Sequence, residues 1–259
     1  MTDEPLTKIR KLENINIIPI LSPTFTNLSI ETTKFVALKL EDKRSIGKII
    51  KNLKELPENL RHLKRVGKNG QILIAETIEE AEFAVDEEFR NSLEKVVVPS
   101  TKPITRAQFE IAKHIWPTSF HPDKYLDSLI DGTFKTPELI EYVSKWSHEA
   151  ENRQCISLQN QEYLCEGTSQ SGPLRHPVME MVGRMPKREE SSENYLGTGC
   201  DVFLRDEPCA MCAMALVHFR IKRVFFNHNS SNGVLESSSW QLHLEPSINH
   251  HYEVYKIEK

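Results

Sequence analysis

The amino-acid sequence predicts two mixed α/β units, a small α+β unit at the N-terminus and a larger layered α/β unit after it. The 259 residues are too many for one ordinary core and suit two modest domains. Strand-like and helix-like patterns alternate along the second half, which is typical of layered α/β domains. Two prolines among small polar residues indicate a linker between the units. We therefore predict domains at 1–95 and 105–259, with the linker at 96–104.

The N-terminal unit contains both kinds of periodicity. Residues 35–40 alternate apolar and polar side chains, which predicts a half-buried strand. Isoleucines and leucines recur at helical spacing from Ile46, with lysines on the opposite face, and Pro57 ends this helix. Two further strands, joined by a turn with a glycine at each end, are predicted at 63–66 and 71–75.

In the second unit, helices and strands are expected in alternation. Thr136 followed by Pro137 is a good N-cap and first-turn pair. Helices are predicted at 108–115 and 136–152 and from Pro177 and Cys209 onward. Strands are predicted at 154–158, 163–166, 200–204, 223–226 and 252–257.

Composition excludes several classes of protein. With 39% hydrophobic residues, 27% charged residues and only 10 glycines, the chain is neither fibrous nor of low complexity. No apolar run approaches the roughly 18 residues of a membrane span, and the charged N-terminus is not expected to be a secretory signal. Five cysteines, an odd number, do not form a disulfide framework. We expect an intracellular globular protein.

Two short motifs in the second unit contain metal-ligating residues, His176-Pro-Val178 and Pro208-Cys209-Ala-Met-Cys212. Thiolates at positions i and i+3 lie on one face of a helix, close enough to share a metal. The N-terminal end of a helix also favours the thiolate of Cys209. One imidazole and two thiolates select zinc over calcium or magnesium, and three protein ligands leave a fourth position open.

The same residues match the signature H-x-E…P-C-x-x-C of zinc-dependent nucleobase deaminases except at one position. Val178 stands where the signature has its general acid/base, and valine transfers no proton. General acid/base catalysis contributes roughly 10²–10⁴ in rate. The motifs therefore predict zinc binding without deamination. A relocated base is the alternative, with Glu180 and Glu207 as candidates, although Glu180 should face away from the ligands.

Other interpretations of the cysteines remain open at this point. A C-x-x-C motif also occurs in redox pairs and in halves of zinc knuckles. The remaining three cysteines lie in or beside predicted strands and are interpreted as buried, inert thiols: Cys155, Cys165 and Cys200.

Three segments resemble one protein family. They are Glu207-Pro-Cys-Ala-Met-Cys-Ala-Met-Ala-Leu-Val-His218, Arg220-Ile-Lys-Arg-Val-Phe225 and Trp116-Pro-Thr-Ser-Phe-His121. They are similar to the non-catalytic subunits of the eukaryotic heterodimeric tRNA adenosine deaminases (the Tad3 family). The resemblance extends from about Ile104 onward and includes the valine of the H-P-V motif.

The resemblance implies a fold, a partner and a substrate. The fold would be a cytidine deaminase-like α/β/α sandwich around a mixed five-stranded sheet, preceded by the small α+β domain. The chain would pair with a catalytic subunit that converts adenosine to inosine at wobble position 34 of tRNA. His176, Cys209 and Cys212 would hold a structural Zn²⁺, and the N-terminal domain would bind the tRNA. The nucleus and the cytoplasm are the expected locations.

A basic run in the N-terminal unit is the candidate tRNA-binding surface. Between Lys43 and Lys68 there are nine basic residues and two acidic ones, which favours phosphate contact over an ordinary solvated helix face. The basic residues are Lys43, Arg44, Lys48, Lys51, Lys54, Arg61, Lys64, Arg65 and Lys68. The acidic stretch 76–94 is interpreted as a solvated helix, with restraint of the basic surface as the alternative.

Some residues have two interpretations each. Trp116 and Phe120 either stack on bases or pack against the deaminase-like core, and packing is preferred. His250 and His251 are interpreted as surface residues rather than ligands. The tail ending at Lys259 is a candidate cap for the fourth metal position. Two rival functions are an active deaminase that works alone, which Val178 opposes, and a zinc-stabilised interaction protein without an RNA role.

Overall fold

The computed structural model describes residues 15–40, 43–185 and 196–259. The chain divides into two compact units. One unit, here the terminal unit, joins the segment that ends at Ser22 to Thr133–Lys259. The other, the inserted unit, is Pro23–Gly132. In the described part of the chain, no helix is both long and apolar enough to cross a membrane.

The terminal unit is built on a six-stranded mixed sheet. Its strands are β1 (Asn16–Pro19), β5 (Cys155–Gln159), β6 (Glu162–Gly167), β7 (Asp201–Asp206), β8 (Arg223–His228) and β9 (Glu253–Glu258). Its helices are α6 (Pro137–Arg153), α7 (Pro177–Arg184) and α8 (Ala210–His218), with a 3₁₀ turn at Leu242–Leu244. The strand order is β1-β9-β8-β7-β5-β6, with β7, β8 and β9 parallel and the other pairs antiparallel.

The two faces of this sheet are both covered, because residues alternate between faces along each strand. Phe203, Phe225 and Tyr255 are partners across the three parallel strands, and their rings stack on the α6 side. Tyr142 of α6 meets the edge of the Phe203 ring. The opposite face, with Val202, packs against α7 and α8 in the main core. The predicted α/β/α sandwich with a mixed sheet is confirmed.

The sheet has six strands where five were expected. The extra strand is β1, whose Asn16 pairs antiparallel with Glu258 of the last strand. Ile17 is fully buried there. The apolar side chains of this short segment therefore complete the sheet edge beside β9.

The inserted unit has a three-stranded antiparallel sheet of order β3-β2-β4. Its strands are β2 (Thr32–Lys39), β3 (Gln71–Ala75) and β4 (Leu93–Pro99). Its helices are α1 (Pro23–Thr26), α2 (Ile46–Asn52), α3 (Ile78–Ala84), α4 (Arg106–Ile115) and α5 (Lys124–Asp131), with 3₁₀ turns at Lys43–Ser45, Glu58–Leu60 and Glu87–Ser92. The four-residue β-run predicted at 63–66 contributes only single bridges, Val66 with Ile72 and Leu63 with Thr118.

These units differ from the predicted domains on both sides of the predicted linker. Residues 106–131, with α4 and α5, belong to the inserted unit rather than to the unit that follows. The predicted linker 96–104 begins inside β4, whose residues pair with β2 from Thr32 to Leu38. Pro99 is the last paired residue of β4. A proline is tolerated at the end of a strand, so in the sequence it could not be distinguished from a proline in a linker.

Trp116 occupies the core of the inserted unit. It is 3% exposed, packs with Phe35, and donates a hydrogen bond from Nε1 to the carbonyl of Lys64 at 2.8 Å. Any side chain at Gly67 would place its Cβ 2.7 Å from this indole ring. The expected packing of Trp116 against the deaminase-like core is therefore wrong, since α4 precedes it in the inserted unit. Phe120 stacks on Phe109 with ring centroids 4.9 Å apart.

Candidate metal centre

The starts of two helices carry the three candidate ligands. His176 is the N-cap residue of α7, and Pro177 occupies the first helical position behind it. Cys209 is the N-cap residue of α8, and Cys212 follows in the first turn. Helices α7 and α8 pack against each other on one face of the sheet, so both starts meet at one end of it.

Gly167 allows α7 to lie close to the sheet. A Cβ at this position would be 2.0 Å from the carbonyl oxygen of Pro177 and 2.4 Å from the nitrogen of Met181. Both are backbone atoms, so no rotamer change relieves the clash. Gly167 therefore fixes the position of the helix that His176 caps.

The three ligand atoms form one cluster. Nδ1 of His176 lies 3.5 Å from Sγ of Cys209 and 3.6 Å from Sγ of Cys212, and the cluster spans no more than 4.8 Å. A tetrahedral zinc with Zn–S of about 2.3 Å and Zn–N of about 2.0–2.1 Å separates its sulfur and nitrogen ligands by about 3.6 Å. The donor set and its spacing therefore fit zinc.

Burial and the neighbouring sulfur together favour the neutral thiol of Cys212. Burial, followed by the neighbouring sulfur of Cys209, raises the pKa of Cys212 to about 12, against the lowering effect of a backbone hydrogen bond from Val178. Two thiolates at this separation require a positive charge between them.

Val178 lies beside the ligands and offers no acid or base. Its side chain is 3% exposed and belongs to the same core cluster as Met181 and Cys212. A proton-transferring group is therefore absent at the position where the deaminase signature places one.

Both candidate replacements for this group are engaged by other side chains or by backbone amides. The carboxylate of Glu180 accepts two hydrogen bonds from Arg175, at 2.8 and 3.1 Å. This interaction lowers the pKa of Glu180. Its pairing with Arg175 holds this carboxylate in an ion pair, and the expectation that Glu180 faces away from the ligands stays a prediction.

Glu207 is buried and acts as the anchor of a loop. One carboxylate oxygen, Oε1, accepts hydrogen bonds from the amides of Leu235, Glu236 and Ser237 at 2.7, 2.6 and 3.0 Å. The other oxygen accepts one from the hydroxyl of Ser237. Burial opposes ionisation, but these donors lower the pKa of Glu207 overall. Its acceptor sites are occupied by the loop, so it is not free to serve as a base.

The role of Glu207 as a loop anchor was not foreseen. Only its position before Pro208 stood out in the sequence, while its donors lie in a segment without periodicity. The lone Gly233 was the available signal, because a Cβ there would lie 2.1 Å from Oε2 of Glu207.

The other cysteines and the C-terminal histidines lie outside the cluster. Cys155, Cys165 and Cys200 are buried, as predicted, and burial raises the pKa of Cys165 to about 11. The ring of His250 bonds to the carbonyl of Ile221 at 2.7 Å, and that of His251 bonds to the carbonyl of His243 at 2.9 Å. These contacts support the interpretation that neither histidine is a ligand.

The side chain of Lys259 forms an ion pair with Glu151 at 3.1 Å. Glu151 also lies 3.1 Å from the ring of His228, the last residue of β8. The ion pair places the Lys259 side chain with α6, and the predicted cap for the metal site remains a prediction.

The candidate tRNA-binding residues are distributed over the inserted unit. Those with exposed side chains are Arg44, Lys48, Lys51, Lys54, Arg61, Lys64 and Lys68. Arg65 is half-buried and donates to the carbonyl of Lys54 at 2.7 Å, and Arg61 pairs with Glu55 at 3.3 Å. The side chain of Lys43 lies outside the described residues.

Comparison with protein families places a known domain over this site. Residues 146–228 match the cytidine and deoxycytidylate deaminase zinc-binding region. This segment contains His176, Cys209 and Cys212. A structure described as "Biochemical and Structural Studies of A-to-I Editing by tRNA:A34 Deaminases at the Wobble Position of Transfer RNA" is 20% identical, with a TM-score of 0.35, over 46% of this chain and 96% of that one.

Curated relatives extend the similarity beyond that domain. The human "Probable inactive tRNA-specific adenosine deaminase-like protein 3" is 32% identical over 62% of this chain and 60% of its own. The Saccharomyces cerevisiae "tRNA-specific adenosine deaminase subunit TAD3" is 26% identical over 71% and 70%. The Arabidopsis thaliana "tRNA-specific adenosine deaminase TAD3" is 43% identical over 35% and 22%. The chain spans about 60% of the length of the vertebrate relatives it matches.

Proposed function

We propose that this chain, a homologue of the Tad3-type subunits, is the non-catalytic subunit of a deaminase that converts adenosine to inosine at tRNA wobble position 34. The observation that carries the proposal is the buried side chain of Val178 beside a complete set of zinc ligands. A site with the metal ligands but without the proton-transferring group can bind zinc and stabilise the fold, but it lacks the acid/base that deamination requires.

His176, Cys209 and Cys212 hold a zinc ion in this proposal. When bound, the ion supplies a cross-link between the starts of α7 and α8. The residues of the chain set the geometry of that link. Pro177 fixes the start of α7, and the ligand atoms lie 3.5 and 3.6 Å apart, at the spacing that zinc requires. The same site would need a carboxylate near residue 178 to move a proton, and Val178 has none.

The catalytic subunit is the proposed partner of the terminal unit. Helix α8 has nine residues, none of which is Asp, Glu, Lys or Arg, and it ends at His218. Met211 and Met214 remain partly exposed after packing against the core. Flexible apolar side chains of this kind adapt readily to an interface. Core packing explains the buried face of α8, and pairing with the catalytic subunit would cover the rest.

The inserted unit is the proposed tRNA-binding unit. Seven of its predicted basic residues have exposed side chains, and phosphate contacts from lysine and arginine supply most sequence-independent affinity for nucleic acid. Such binding must weaken as salt rises. The nucleus and the cytoplasm, the locations where tRNA is processed and used, remain our proposal for localisation.

Wobble-inosine formation tests this proposal directly. The purified chain is incubated with a tRNA that carries adenosine at position 34, alone and then mixed with the catalytic subunit from the same organism. We expect inosine only in the mixture. Inosine formed by the chain alone would overturn the proposal, and loss of that activity in Glu180→Gln or Glu207→Gln would identify the base.

A zinc-stabilised interaction protein without an RNA role is the second candidate function. Filter binding of the same tRNA at several salt concentrations separates the two. Affinity that falls steeply with salt supports the tRNA-binding subunit, whereas no measurable affinity in the mixture favours the second candidate.

A further inference from the structure

An apolar groove with an acidic rim crosses the inserted unit and shares one lining residue, Lys54, with the candidate tRNA-binding run. Its volume is about 730 Å³. Phe35 of β2 and Ile74 of β3 form part of its floor, and both are almost fully buried. Helix α3 forms one wall, and the segment around Leu53 and Pro57 forms the other.

The face of α3 that lines the groove is set by helical geometry. Glu79, Glu80, Phe83 and Ala84 all line it, and positions three and four apart lie on one side of a helix. Thr77 caps this helix, because its hydroxyl accepts a hydrogen bond from the amide of Glu80 at 3.3 Å. The capped start fixes which residues point toward the groove.

The rim is strongly acidic. Four carboxylates line the groove, those of Glu55, Glu76, Glu79 and Glu80, against one cation, Lys54. Among the described residues, no salt bridge involves the last three of these carboxylates. Their field is available to an external cation. It also repels phosphate, so this groove is unsuited to tRNA.

Phe83 stands at the edge of the groove with 93% of its side chain exposed. An aromatic ring left in water beside an apolar cleft provides ready-made contact area for a partner side chain. Because burial of that ring is favourable, an occupant with its own apolar anchor gains from contacting it.

We infer that this groove binds a short basic segment of a partner protein, with an apolar side chain seated on Phe83, Leu53 and the sheet. Lysines or arginines of the segment pair with the carboxylates of the rim, which steer its approach and set its orientation. Aromatic anchors at the centre of such contacts carry most of the affinity. A tRNA, a second copy of this chain or its own N-terminal segment are the occupants that the test must exclude.

Fluorescence anisotropy on the full-length chain tests this inference. The probe is a short labelled peptide of lysines around two leucines, and its controls replace the leucines by alanine or the lysines by glutamate. We expect binding of the first peptide only, weakened by salt. Glu79→Lys with Glu80→Lys, and separately Phe83→Ser, should each weaken it on the order of tenfold.

Glu82→Lys is the matched control, because Glu82 is exposed on the same helix but does not line the groove. It should leave binding nearly unchanged. Thermal melts of all variants separate lost binding from lost folding, and Phe83→Ser, at an exposed position, should melt like the wild type. Equal binding by the wild type and the groove variants would overturn the inference.

The other occupants give different results. A fall in tRNA affinity in Phe83→Ser, without peptide binding, would make the groove an RNA surface. Peptide binding that appears only after removal of residues 1–14 would assign it to this chain's own N-terminal segment. A dimer that sediments as a monomer after Phe83→Ser would assign it to a second copy. Each of these would overturn the inference.

Discussion

The carboxylate of Glu207 occupies the space that a side chain at position 233 would need, and Gly233 leaves that space free. A Cβ on Gly233 would lie 2.1 Å from one carboxylate oxygen and 2.2 Å from the carboxylate carbon. The loop can therefore wrap around a buried charge that stands two residues before Cys209. This pairing couples the loop after β8 to the start of the metal-binding helix.

Gly233→Ala should displace that carboxylate. We expect the free energy of unfolding to fall by about 1–3 kcal/mol, as for other overpacked sites. Urea denaturation measures it. Gly183→Ala in α7 is the control, since a Cβ there meets nothing within 4 Å and should stabilise by about 0.5–1 kcal/mol. Equal stability of the Gly233 variant and the wild type would mean that the carboxylate moves aside without cost.

Gly167→Ala should disturb the metal centre from the sheet side. The new Cβ would meet the backbone of Pro177 and Met181, so α7 must shift together with its cap, His176. We expect a loss of about 3 kcal/mol or more and a lower zinc content after purification. Mass spectrometry of the metal and a thermal melt check both. Full zinc occupancy in this variant would contradict the link between Gly167 and the site.

His176→Ala and Cys212→Ala should each lose zinc and destabilise the chain by at least about 2 kcal/mol. The activity of the proposed heterodimer should fall with them, because the proposed zinc link between α7 and α8 is lost. Cys155→Ala is the matched control, a buried cysteine outside the cluster, and should keep its zinc. Retained zinc and full heterodimer activity in both ligand variants would refute the metal assignment.

Reversal of charge at Lys51 and Lys64 should weaken tRNA binding while the fold and the zinc content stay intact. Each lost phosphate contact reduces the salt slope of log affinity by about 0.7–0.9. Two contacts should therefore change it by roughly 1.5. Reversal at Lys102 and Lys124, exposed lysines outside the basic run, is the control. An unchanged slope in the Lys51 and Lys64 variant would remove these residues from the RNA surface.

Acid should destabilise the inserted unit through His62. Burial lowers the pKa of His62, hydrogen bonds to the carbonyls of Pro99 and Asn59 oppose this, and the charge of Lys102 lowers it further. The folded state therefore binds a proton less readily than the unfolded chain. The stability contributed by the neutral ring is complete above the unfolded pKa, about 6.5, and falls as the pH drops toward the folded value.

Urea denaturation at pH 7, 6 and 5 measures this effect, with His62→Gln for comparison. The variant should lose less stability on acidification than the wild type, because it has no ring to protonate. Parallel profiles for the two proteins would contradict the role of His62.

The ligand triad was predictable because each part is local in the sequence. A proline after His176 and one before Cys209 mark two helix starts, and the i, i+3 spacing of the cysteines needs no tertiary information. The absence of a base at Val178 was equally readable. The hydrogen bonds that hold the carboxylate of Glu207 were not predictable, because their donors at 235–237 belong to a loop without periodicity.

Two strands, β1 and β4, were not predicted from the sequence, each for a different reason. β1 has four residues, too few to show alternation, and its partner Glu258 lies at the far end of the sequence. β4 ends in a proline and is flanked by small polar residues, so it resembled a linker. A long helix such as α6, by contrast, was predictable, because its N-cap and its first-turn proline are visible in the local sequence.

The pairing of β1 with β9 has a consequence for synthesis of the chain. β9 begins more than 230 residues after β1 in the chain, so β1 waits on the order of ten seconds or more for its partner. During that time the inserted unit, which is continuous in sequence, can fold alone. The unit with the metal ligands completes its sheet only after β9 has been made, and an unpaired strand edge is exposed to aggregation until then.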